Sequence, residues 1–141
     1  MLPQSLHIQL RDGQSLHVRT IGRGQPVLML HGFGMESRHW IPLVLPLAHR
    51  FQFILPDLRG FGLSGKTSFN HADVFKNYYQ DLEDTLDYFG IEHLPFVGIS
   101  MGAYTTLYYL THEQKIRASK FLCIDQSPYV RDYFDHQFGL G

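Results

Sequence analysis

The chain has 141 residues, 44% of them hydrophobic and 18% charged, with a net charge of −1. That suffices for one core, read as a single domain over 1–141, and there is no basic stripe to hold nucleic acid or a membrane surface. No apolar run approaches the roughly 20 residues of a membrane span, and residues 1–5 lack the basic-then-apolar order of a secretion signal, so a cytoplasmic location is expected. The single Cys123 lies in an apolar run and reads as a buried, inert thiol suited to a reducing compartment. The nine histidines are scattered, with no H-x-H, no H-E-x-x-H and no cysteine pair, so no metal site is expected.

Apolar and polar residues alternate over 6–10 and 16–19 about a turn at Asp12-Gly13, which predicts an antiparallel hairpin at a sheet edge. An apolar strand over 26–31 ends in His31-Gly32-Phe33-Gly34. A glycine-rich loop at a strand end can aim a backbone N–H at an oxyanion, here that of Phe33. Taken alone, His31 reads equally as a satisfied core histidine in a tight turn. A helix over 38–49 follows, with Trp40 either its anchor, the favoured reading, or a wall of the pocket. A strand over 51–56 leads into Asp57-Leu58-Arg59-Gly60-Phe61-Gly62-Leu63-Ser64. The next helix, 73–89, has Asp73 as N-cap and Gly90 just past its end. A strand over 94–99 runs into Gly98-Ile99-Ser100-Met101-Gly102, followed by a helix over 101–113 and a strand over 119–125. This alternation predicts an α/β fold, a mostly parallel sheet with helices on both faces and an N-terminal antiparallel hairpin. Ligands of such sheets bind beyond the carboxyl ends of the strands, where all three glycine-containing motifs lie.

G-x-S-x-G between strand and helix is the spelling of a nucleophile elbow. The serine must be lifted on a strained turn, and glycines at −2 and +2 let strand and helix approach. The residue after the serine, Met101, would give the second oxyanion N–H. A rival pattern overlaps the middle motif: residues 60–67, from Gly60 to Thr67, satisfy both G-x-x-x-x-G-K-[ST] and G-x-G-x-x-G. A phosphate loop must spring from a strand into a helix. Here residues 56–59 separate strand from loop, so nucleotide binding is the weaker reading and Lys66 an exposed loop lysine.

The order HGFG, D-x-R-G-x-G-x-S, G-x-S-x-G resembles the serine-nucleophile branch of the α/β-hydrolase fold superfamily, over nearly the whole chain. The resemblance implies a cofactor-free serine hydrolase acting on an ester or similar small acyl substrate. Ser100 would be the nucleophile and Phe33 and Met101 the oxyanion hole. Asp57 and Arg59 would have structural roles, and His31, Gly32, Gly34, Gly98 and Gly102 would shape the loops. Ser100 disfavours the branch with an aspartate nucleophile. Ile99 and Ala103 depart from commoner residues of the pattern.

A serine also needs a general base. Downstream, His112 lies about 18 Å along the elbow helix, and His136 sits in the tail; Asp125 ends the last strand. The resemblance therefore implies late strands, a cap, and the triad acid and histidine beyond Gly141, with the 141-residue chain an N-terminal, inactive part. The rings of Tyr129, Tyr133, Phe134 and Phe138 would by resemblance line an acyl or alcohol pocket. The alternative is a non-catalytic binding or assembly module of the same fold, using the exposed sheet edge for self-association. Substrate and subfamily are not legible.

Overall fold

The computed structural model of the chain describes residues 2–112 and 117–124. One sheet holds β1 (Gln4–Gln9), β2 (Ser15–Gly22), β3 (Gln25–Leu30), β4 (Phe51–Pro56), β5 (Leu94–Ile99) and β6 (Ala118–Ile124), in the order β1-β2-β4-β3-β5-β6. β1 and β2 form the expected antiparallel hairpin, and β2 runs antiparallel to β4. From β4 through β3 and β5 to β6 the strands are parallel. The chain leaves β3 on one side to make β4 and passes to the other side to make β5. The carboxyl ends therefore part at β3, the kind of switch point where such sheets open a crevice.

Period-2 alternation divides the core into two layers. Leu28, Leu30, Ile54 and Phe96 pack with Tyr78, Leu82 and Leu86 of α2 (Val74–Phe89) and Tyr109 of α3 (Met101–His112). Val27, Met29, Phe53 and Leu55 form the other layer with Trp40, Val44 and Ala48. Trp40 is only 3% exposed there, so it anchors the segment after β3. Asp73 caps α2 by accepting the N–H groups of Phe75 and Lys76, and Gly90 ends the helix at φ +66°.

Two expectations need correction. The helix predicted over 38–49 is three single turns, Ser37–Trp40, α1 (Ile41–Val44) and Leu45–Leu47. Pro42 and Pro46 explain this, because each lacks an N–H and its ring clashes with the carbonyl four residues back. In α3, Ala103, Thr105, Thr106 and Tyr109 are buried, whereas Leu107 is 37% exposed. The two threonine hydroxyls are satisfied by the carbonyls of Met101 and Gly102 one turn back. Cys123 is exposed, not buried, because β6 pairs only with β5 among the described residues and its neighbour Leu122 is also exposed. Asp125, Tyr129, Tyr133, Phe134, His136 and Phe138 lie outside the described residues.

Candidate active site

Ser100 joins β5 to α3 at φ +51°, the only positive φ of a non-glycine residue among those described. An L side chain in that region costs roughly 1–2 kcal/mol, so its surroundings must hold it there. A Cβ on Gly98 would lie 2.7 Å from the Ala103 nitrogen. One on Gly102 would lie 2.6 Å from the Leu30 carbonyl carbon and 2.8 Å from the His31 oxygen. Only bare glycines let α3 start directly over the ends of β5 and β3. Ala103 is fully buried in this contact, and Ile99 packs on the second core layer, so neither departure disturbs the elbow.

The loop after β3 reaches the same place, for a Cβ on Gly32 would stand 3.2 Å from the Ser100 Cβ. The loop closes through the Met35 N–H on the Gly32 carbonyl at 3.1 Å, a turn that does not use the Phe33 N–H. Gly34 takes φ +77° within it. Met101 opens α3, where the first N–H groups have no partner within the helix. The Phe33 ring is 79% exposed and meets Phe61 edge-on at 5.4 Å, and His31 meets Phe61 at the same separation.

His31 is fully buried, and burial pushes its pKa down, keeping the ring neutral. Its Nε2 accepts the Leu58 N–H at 3.0 Å, and its Nδ1–H donates to the Gly32 carbonyl at 2.8 Å. The imidazole thus pins the loop after β3 to the loop after β4, with both nitrogens engaged.

Asp57, just past β4, is equally buried. Its Oδ1 accepts the Ser37 N–H at 2.6 Å; its Oδ2 accepts the Leu63 N–H at 3.0 Å and lies 2.7 Å from His17 Nδ1. Burial alone would raise the pKa, but hydrogen bonds from Ser37, Leu63 and His17 outweigh it and hold the carboxyl below its ordinary value. Arg59 grips both Asp81 oxygens, at 2.7 and 2.9 Å, pairs with Asp12 at 2.8 Å and donates to the Ser68 carbonyl. These partners come from distant elements and were missed in the sequence. The one available signal was Asp81, an acid sharing a helix face with Tyr78 and Thr85, both buried.

Residues 60–67 make one short turn, Gly62–Ser64, and the next helix begins only at Val74. Their amides turn inward: Gly60 and Thr67 donate to the Ser64 carbonyl, Ser64 to Phe61 and Gly65 to Gly62. Lys66 is exposed. Among the described residues no hydrogen bond joins Ser100 to a histidine.

Residues 25–137 match the family model of the alpha/beta hydrolase fold. The chain belongs to the alpha/beta hydrolase family. The chain is 40% identical over 88 residues to the cis-3-alkyl-4-alkyloxetan-2-one decarboxylase of Shewanella oneidensis, a match covering 62% of the chain and 28% of that protein. It is 26% identical over 124 residues to the soluble epoxide hydrolase of a Corynebacterium species, covering 86% and 42%. It superimposes on the esterase EaEST from Exiguobacterium antarcticum with a TM-score of 0.75 at 26% identity, covering 89% of this chain and 46% of the other. The chain therefore spans less than half the length of these relatives, whose names carry three different reactions.

Proposed function

We propose that Ser100 is the nucleophile of a serine hydrolase acting on an ester or similar small acyl substrate. The observation that carries this reading is the positive φ of Ser100, held by glycine contacts directly against Gly32. A serine held this way suits acyl transfer, the chemistry named for EaEST, better than attack by a carboxylate. Ser100 Oγ would attack the carbonyl carbon while the Phe33 and Met101 N–H groups hold the oxyanion, each donor worth about 2.7–4 kcal/mol to the transition state. The reading assigns the proton to a histidine outside the described residues and needs no cofactor. It is tested by treating the intact protein with a fluorophosphonate and mapping the adduct. The expected result is a single fast adduct at Ser100 and loss of ester turnover in Ser100→Ala; turnover undiminished in that variant would overturn it.

A further inference from the structure

A second serine has a histidine and a carboxylate behind it. In the β1–β2 hairpin Ser5 lies opposite Arg19 and His7 opposite His17, so period 2 puts all four on one face. His17 Nε2 stands 3.1 Å from Ser5 Oγ, and His17 Nδ1 stands 2.7 Å from Asp57 Oδ2. Asp57 is ionised and can only accept, so the Nδ1 of His17 carries a proton; in the neutral imidazole Nε2 then has its lone pair towards the Ser5 hydroxyl. The His17 ring is fully buried, whereas Ser5 is exposed. The base is thus shielded from water while its serine is open to reagents.

We propose that Ser5 is an activated nucleophile, with His17 as its general base and Asp57 as the positioning residue, and that it takes up acyl groups from activated acyl donors. The proposal is independent of Ser100. Ser5 Oγ bonds to the acyl carbon as its proton passes to His17 Nε2; the carbon–leaving-group bond then breaks, and the leaving group takes that proton. Asp57 accepts the Nδ1–H throughout and stabilises the imidazolium in between. A groove of about 660 Å³ lies beside His7, the neighbour of Ser5 on this face, and is lined also by Gln14, Ser15, Leu63, Lys66 and Thr67.

The experiment uses the intact Ser100→Ala protein and p-nitrophenyl acetate, with acetylation followed at each serine by peptide mass mapping. Ser15, which lines that groove, reports the effect of donor binding there, and Ser119, exposed on β6, that of exposure alone. A positioned general base contributes about 100-fold or more, so Ser5 should acetylate at least that much faster than either. His17→Gln, checked by its melting curve, should bring Ser5 down to the Ser15 rate. Equal rates at Ser5, Ser15 and Ser119 in the His17 protein would overturn the proposal and leave the three residues as a tie between hairpin and loop.

Discussion

Gly102→Ala sets two effects against each other. Alanine is the better helix former by about 1 kcal/mol, so helix propensity alone predicts a more stable protein. Packing predicts the reverse. The new methyl would fall 2.6 Å from the Leu30 carbonyl carbon and 2.8 Å from the His31 oxygen, and closer still to the Leu30 oxygen. Ordinary carbon contacts start near 3.5 Å, so something must move by about 1 Å. What it meets is the backbone of β3, a strand paired on both sides with Leu28 and Leu30 fully buried, not a side chain that can swing away. Overpacking costs about 1–3 kcal/mol, and a rigid neighbour places this site at the upper end. Net destabilisation should be about 2 kcal/mol. Because the displaced element carries Ser100, fluorophosphonate labelling at Ser100 should fall by about 100-fold, the scale of a 1 Å misplacement. Urea unfolding with constant slope, run beside the labelling rate, reads both. A Gly102→Ala protein as stable as its parent or more so would refute the close-approach account of the elbow.

Two further outcomes follow from the buried charges. His31 titrates below its ordinary 6.5 in the fold, so the unfolded chain takes up the proton first. The stability that the neutral His31 contributes should be complete above about pH 6.5 and fall as the pH drops below it. Asp57, also depressed, should add a second loss below about pH 4. His31→Gln should flatten the upper decline in urea melts across pH, and an unchanged slope would refute its neutral burial. Asp81→Asn leaves the Arg59 guanidinium buried with Asp12 alone as counterion, and should cost about 3 kcal/mol. The double variant Arg59→Met/Asp81→Leu should lose less than the sum of its single changes, and strict additivity would show that the two do not act as a pair.

Much of this fold could be read directly. The strands have strong period-2 or apolar signatures, and the three loops carry glycines where the backbone has no alternative, so their positions at the strand ends were legible. The segment after β3 was not, because the apolar spacing of Trp40, Val44 and Ala48 suggested a continuous helix while Pro42 and Pro46 forbade one. Burial at Cys123 failed for another reason. An apolar run reports what a strand can bury, not whether a neighbour covers it. At the site, Ser100 and Gly32 could be placed together from topology alone. The grip of Asp57 on His17 and Ser37 could not, since buried polar partners follow from three-dimensional register between elements 20 to 40 residues apart.

The glycine-rich loop after β4 looks in sequence like a cradle for phosphate, and the fold gives it an anion after all. A methyl on Gly62 would strike the Asp57 carboxylate at 2.6 Å, and the Leu63 N–H already donates to it. The loop wraps a counterion that belongs to its own chain and cannot dissociate. The same spelling that marks a vacant nest elsewhere marks here one whose Leu63 N–H is already taken by Asp57.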